Sequence, residues 1–144
     1  MWTDPTSRIT THLQKGAATM KLIAFLLGIT YISMSSLFIL YTRETVNAFK
    51  KFFASYELRY LAIIPAVVGL LFLVAANAIV YPWLFRIIAV IAFAEAVLAL
   101  VNPNGIYTKL LDWYFEGLSD RTNRLFGIIG VVLGTVFIAW IKWN

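Results

Sequence analysis

Glu95 is the charged residue that lies deepest within an apolar stretch of this sequence. A charged side chain at the centre of a membrane-spanning helix costs about 2.5–3.5 kcal/mol on insertion scales, so it usually faces a bundle interior and has a partner. We favour a structural role, as a hydrogen-bond latch between helices. A titrating proton or ion relay and a contact with another subunit are the alternatives.

The neighbours expected for Glu95 follow from counting residues along the apolar stretches. Glu95 lies six residues before Val101, where its stretch ends, or about 9 Å along a helix. The same depth falls near Ser35 on the first stretch, near Pro65 on the second and near Gly130 on the fourth. Pro65 also frees a backbone carbonyl, because proline has no N–H. The sequence therefore predicts small, hydroxyl and backbone groups around the carboxyl.

Two further polar residues lie near the ends of apolar stretches. Arg86 precedes Glu95 by nine positions, which at 100° per residue puts the two on opposite faces of one helix. Arg86 is expected either to extend to the membrane surface or to meet Asn77 from the preceding stretch. We expect Asn77 to form an interhelical hydrogen bond worth roughly 0.6–2 kcal/mol.

Several kinds of chemistry are excluded by composition. The chain has no cysteine, and its single histidine, His12, lies in a polar N-terminal segment. Thiolate and multi-histidine metal sites, haem ligation and cysteine nucleophiles are therefore excluded. No acid and base are paired within the apolar stretches, so we expect a non-enzymatic protein without cofactor or metal. The net charge of +5 reflects bases that flank apolar stretches, which favours membrane anchoring over nucleic-acid binding.

The composition is that of a membrane protein. The 144 residues are 61% hydrophobic and 13% charged, with a mean hydropathy of +0.82, and a soluble domain of this size could not bury so much apolar surface. Four stretches approach the roughly 20 residues that a helix needs to cross a bilayer: residues 22–41, 61–80, 83–101 and 125–141. The sequence predicts an all-α polytopic protein with four transmembrane helices. A cleavable signal peptide is the competing interpretation of the first stretch.

An internal repeat suggests how the spans are grouped. Residues 37–75 can be laid over residues 97–140 with an insertion of five residues, and Gly69 then matches Gly134. We expect two tandem hairpins in parallel orientation, because a hairpin has an even number of spans. The predicted organisation is a polar N-terminal segment, a first hairpin and a second hairpin, at residues 1–21, 22–80 and 81–144.

Each hairpin has a connector with the pattern of an amphipathic helix on the membrane surface. Aromatic side chains recur there at helical spacing, with charged residues away from the aromatic stripe. The expected anchors are Phe49 and Phe53 in the first connector and Trp113 and Tyr114 in the second. A packed cap outside the membrane is the alternative.

Small residues mark the expected helix contacts. Gly127, Gly130 and Gly134 follow one another along the fourth stretch, and the last two form a GxxxG pair that lets backbones approach closely. We favour a contact within the chain over a dimer contact. Pro65 and Gly69 are assigned to helix packing on the second stretch.

The distribution of basic residues indicates an orientation. Lysine and arginine number seven in the two connectors and five on the opposite side. The positive-inside rule then places the connectors in the cytoplasm and both termini outside.

The second hairpin carries a series of short motifs: Glu95-Ala96, Asn102-Pro103, Trp113-Tyr114, Leu118-Ser119-Asp120 and Arg124-Leu125-Phe126-Gly127. In this order they resemble a family of very small bacterial inner-membrane proteins that consist of two helices. The resemblance covers residues 84–141 and implies a hairpin in the bacterial inner (cytoplasmic) membrane. It implies no activity, because the function of that family is itself uncertain. The first hairpin departs from the pattern, with Ser35 opposite Glu95 and no Asn-Pro turn.

These features favour a non-enzymatic integral membrane subunit or accessory protein that associates with partner membrane proteins or lipids. The partners expected are the lipid bilayer and either other membrane-protein subunits or, as a homo-oligomer, further copies of the chain. The alternative is a small oligomeric transporter or channel that uses Glu95 as a titrating site. A polar path separates the two functions. A subunit needs Glu95 to be sealed by neighbours, whereas a transporter needs water-accessible polar groups above and below it.

Overall fold

The computed structural model describes residues 5–143 and the side chains of residues 9–143. Its fold is 88% helix, without strands in the described part, so the predicted all-α class is confirmed. The helices are α1 (Pro5–Leu40), α2 (Thr42–Ser55), α3 (Leu58–Leu61), α4 (Ile63–Ala76), α5 (Pro82–Val101), α6 (Ile106–Gly117) and α7 (Asp120–Ala139). Residues 1–4 of the predicted N-terminal segment and Asn144 of the predicted second hairpin lie outside the described residues.

Four helical segments are long and apolar enough to cross a membrane, namely Ile9–Leu40, Leu58–Ala76, Pro82–Val101 and Asp120–Ala139. The polar N-terminal segment continues directly into the first span, because α1 is one unbroken helix of 36 residues. At 1.5 Å per residue it is about 54 Å long, which exceeds the roughly 30 Å of a hydrocarbon core. The second span ends at Ala76 rather than near residue 80, since the chain turns from Asn77 onward.

The most extensive helix contact joins α1 to α7 in antiparallel orientation. Gly127, Gly130 and Gly134 are buried along the face of α7 that meets α1. A Cβ atom added at Gly134 would lie 3.0 Å from the carbonyl oxygen of Gly28. The glycines thus let the two backbones approach more closely than larger residues would allow.

The second extensive contact joins α4 to α5, also antiparallel. Gly69 of α4 meets α5 closely, since a Cβ there would lie 3.2 Å from the carbonyl oxygen of Ala89. The facing stripe of α5 consists of buried alanines, at Ala89, Ala92, Ala96 and Ala99. Small side chains therefore set the separation of this pair as well.

An aromatic cluster holds the two pairs together near the C-terminal end of α7. The rings of Phe72, Phe85 and Phe137 are fully buried, and their centroids are 4.7–5.6 Å apart. Such pairs contribute about 0.5–1.5 kcal/mol each beyond their buried area. At this end the turn after α4 also pairs with the C-terminal segment, where the N–H of Val80 donates to the carbonyl of Trp140 at 2.9 Å.

The helix pairs do not follow the predicted hairpins. The two extensive contacts join α1 to α7 and α4 to α5, and each crosses the predicted boundary at residue 81. The contact between α1 and α4, which belong to one predicted hairpin, is smaller. The division into tandem hairpins stays a prediction.

Candidate functional site

Glu95 lies on α5 with its side chain exposed, and it lines two adjoining cavities. The larger cavity has a volume of about 430 Å³. Its lining residues are Phe38, Phe49, Phe53, Glu95, Tyr107, Leu110, Leu111, Trp113, Tyr114 and Phe115. The smaller cavity, of about 180 Å³, lies toward α4 and includes Pro65. Glu95 is the only charged residue that lines either cavity among the side chains described.

Tyr107 is the direct partner of Glu95. Its hydroxyl donates a hydrogen bond to Oε1 of Glu95, with 3.3 Å between the oxygens. The side chain is only 2% exposed and packs against Ala62 and Ala99. Burial, and then the charge and hydrogen bond of Glu95, raise the pKa of the Tyr107 phenol to about 12. The hydroxyl is therefore protonated at neutral pH and remains a donor.

The Asn-Pro turn positions Tyr107 beneath the end of α5. Asn102 ends α5 in the left-handed conformation, with φ at 38°, which asparagine tolerates better than most residues. Its Oδ1 accepts from the N–H of Tyr107 at 3.0 Å, while its Nδ2 donates to Thr108 at 3.1 Å. Asn104 and Gly105 also have positive φ, so three of the four residues from Asn102 to Gly105 adopt left-handed backbone within the turn. This local chemistry returns α6 toward Glu95.

Helices α2 and α6 together form a layer over the larger cavity, which we call the cap. Lys50 of α2 pairs with Glu116 of α6 at 2.8 Å, and this contact lowers the pKa of the Glu116 carboxyl. The rings of Phe53 and Phe115 meet beneath this pair, 5.7 Å apart between centroids. Both charged groups are exposed, so solvent screens the ion pair, and the aromatic contact is the drier of the two.

The residues expected to surround Glu95 are divided between two places. Pro65 lines the smaller cavity beside Glu95. Ser35 is buried instead against α7, where a Cβ on Gly130 would collide with its hydroxyl. Both residues line a third cavity of about 310 Å³, which shares Phe38 and Tyr114 with the larger cavity but does not include Glu95. Counting residues places these side chains at a similar depth in the membrane, but it does not determine how each helix is rotated about its axis.

Arg86 and Asn77 lie toward the other end of the bundle, and both are exposed. Within residues 9–143 neither side chain has a hydrogen-bond or ion-pair partner, so the alternative contact between them is not formed. Arg86 lies in the second turn of α5, near the end of its span. From there its guanidinium can extend toward the membrane surface.

The four aromatic residues expected to anchor the connectors all line the larger cavity. Phe49 stacks on Phe38 of α1 at 5.6 Å between centroids, and Tyr114 meets Phe115 at 5.3 Å. Burial raises the pKa of the Tyr114 phenol. Trp113 is largely exposed. Sequence reasoning found these residues through their helical spacing, but it did not connect them with Glu95.

Tyr107 was missed as a polar partner, because it falls on the apolar face of its connector. The available signal was its place five residues after Asn102, where a turn that reverses the chain brings it back to the preceding helix.

Comparison of the chain with protein-family models, with curated proteins and with solved structures finds no match. The resemblance of residues 84–141 to the two-helix family stays a prediction. The described residues contain no group of three or more His, Cys, Asp or Glu placed to hold a metal ion.

Proposed function

We propose that the protein is a non-enzymatic integral membrane subunit or accessory protein that associates with partner membrane proteins or lipids. The described neighbours within the chain leave the side chain of Glu95 exposed, so the sealing that a subunit requires has to come from outside the chain. This exposure carries the proposal. The one hydrogen-bond partner of Glu95 in the described part of the chain is Tyr107. A carboxyl group at membrane depth needs protein or water around it. We infer that a component from outside this chain covers the open side of α5.

Transport through a single copy is less well supported. The exposure of Glu95 would let a transported species reach the carboxyl group from one side. Between Glu95 and the other end of the bundle lies the aromatic cluster of Phe72, Phe85 and Phe137, and the core around it is apolar. A relay needs polar groups on both sides of the carboxyl. The buried polar side chains of the described residues lie near the depth of Glu95 or on the side of the cap; they are Tyr107, Ser35, Thr42, Thr45 and Asn123.

The proposal includes an arrangement in the membrane. We place α2 and α6 at the interface as amphipathic connectors of two tandem hairpins, in a bacterial inner membrane with the connectors in the cytoplasm. The exposed charges of Lys50 and Glu116, and the aromatic rings beneath them, support an interfacial position.

Purification of the full chain from its native membrane in a mild detergent tests the proposed association. We expect a stoichiometric complex with other membrane proteins or with retained lipid. A homo-oligomer free of both would favour the transporter or channel, and a monomer free of both would contradict association.

A further inference from the structure

The larger cavity combines an aromatic wall with one carboxylate. Seven of its ten lining residues are aromatic, two are leucines, and the remaining one is Glu95. Its volume of about 430 Å³ falls within the range of about 300–1,000 Å³ typical of small-molecule sites. We propose that this cavity binds a free lipophilic organic cation, of the quaternary ammonium or phosphonium type, with its charge at Glu95 and its apolar groups against the rings.

The rings form a continuous wall from α1 across the cap. Phe38 stacks on Phe49, and Phe49 lies 6.5 Å from Phe53 between ring centroids. Phe53 then meets Phe115 at 5.7 Å. A cation within about 6 Å of a ring centroid is attracted by the negative face of the ring. A bulky cation in this cavity could meet several rings at once.

The charge of the cavity is not neutralised from within. No basic residue lines it, and the nearby Lys50 is bound to Glu116 on the other side of Phe53. Tyr107 donates one hydrogen bond to Oε1 of Glu95, and an ionised carboxylate has about four acceptor positions in all. The carboxylate therefore has capacity left for a ligand.

A free cation fits this position better than the choline group of a lipid. Glu95 lies about 9 Å below the end of α5, whereas lipid head groups occupy the polar interface. A phosphocholine group would also bring a phosphate next to the carboxylate, and like charges repel. The cation site does not depend on the proposed association with a partner subunit.

Binding of tetraphenylphosphonium to the purified full-length protein in maltoside micelles tests the proposal by isothermal titration calorimetry. We expect saturable binding to the wild-type protein and at least about tenfold weaker binding to Glu95→Gln, since a charge-assisted contact is lost. Glu44→Gln, which removes an exposed carboxylate outside both cavities, should bind as the wild type does.

A second comparison needs no variant at Glu95. Triphenylphosphine oxide, which is neutral and similarly aromatic, should bind the wild-type protein at least about tenfold more weakly than the cation does. Phe53→Leu should weaken cation binding about threefold, whereas Phe25→Leu, beside Trp143 and outside both cavities that Glu95 lines, should not.

Equal affinity for the cation and the neutral compound would overturn the proposal, because it would mean apolar partitioning alone. Equal affinity of wild type and folded Glu95→Gln would also overturn it. If Glu95→Gln loses its co-purifying partner while its cation affinity is unchanged, the carboxylate serves the partner: the proposed function then stands and the cation site fails. If cation binding behaves as expected and nothing co-purifies, the reverse holds.

Discussion

The close approach of α1 and α7 makes Gly127 a sensitive position. A Cβ atom at Gly127 would lie 2.8 Å from the backbone carbonyl oxygen of Ser35 and 2.7 Å from Cγ1 of Ile39. Cγ1 of Ile39 is bonded to a branched Cβ whose χ1 rotation is restricted in a helix, and the carbonyl can move only with its helix. Overpacking of this kind costs about 1–3 kcal/mol, while alanine gains about 1 kcal/mol over glycine in helix propensity.

Gly16 provides the matched control, because it lies in the same kind of structure with no atom within 4 Å of an added Cβ. Both substitutions gain the propensity of alanine, so the difference between them isolates the packing cost. We expect Gly127→Ala to have a free energy of unfolding about 1–3 kcal/mol lower than that of Gly16→Ala. Unfolding in mixed micelles with increasing SDS, followed by circular dichroism, measures both values. Equal stability of the two variants would refute the close packing of α1 on α7.

Three further predictions concern Glu95, its partner and the topology. Glu95→Gln should fold normally because the amide oxygen can still accept a hydrogen bond from Tyr107. Glu95→Leu should lower the free energy of unfolding by about 1–3 kcal/mol, because it leaves a buried hydroxyl unpaired. If thermal unfolding shows Gln to be as damaging as Leu, the charge itself is required. The folded pKa of Tyr107 is raised from 10.0 to about 12, so its contribution to stability is complete below pH 10 and is lost as the pH rises toward 12. Absorbance at 295 nm should show one phenol that titrates near pH 12 in the wild type and is missing in Tyr107→Phe. Identical titrations of the two proteins would contradict the buried pair of Tyr107 and Glu95. Cysteines introduced at Gln14 and Lys142 should label from one side of the membrane and those at Lys51 and Lys109 from the other, and any other pattern would exclude the proposed arrangement.

Much of the fold could be predicted because hydropathy is a property of each stretch by itself. Four apolar stretches of nearly membrane-spanning length imply four helices wherever they pack. The predicted second span ends too late, at residue 80 rather than at Ala76, because Ala78 and Ile79 continue the apolar run although they lie in a turn. Their side chains are buried against the bundle, and hydropathy does not distinguish this burial from contact with lipid.

The pairing of helices could not be predicted from the repeat. A repeat shows that two segments are alike in sequence. Which helices pack together depends instead on which faces carry side chains small enough for the backbones to approach closely. Gly28 and Gly134 fit together across α1 and α7, and Gly69 fits against Ala89 across α4 and α5. These complementary faces lie in different predicted hairpins.

The residues around Glu95 could likewise be predicted only in part. Glu95 stands out in the sequence because it is a charge among apolar residues, and counting placed Pro65 near it. Ser35 shares that depth but faces α7, since the direction of a side chain depends on how its helix is rotated. Tyr107 reaches Glu95 only through the turn at Asn102, whose left-handed backbone and two side-chain hydrogen bonds are tertiary details.

The proposed function requires that a component from outside the chain covers the Glu95 side of α5. Ile91 lies one helical turn before Glu95 on the same face and is exposed. Leu70 is equally exposed on α4, and it lies at a similar depth because its neighbour Gly69 meets Ala89 and Phe93. A photo-reactive phenylalanine analogue at each position, irradiated in native membranes, compares the two faces directly. We predict a discrete cross-linked adduct from position 91 and little from position 70. Equal cross-linking from both positions, or none from position 91, would contradict the coverage of α5 by an outside component.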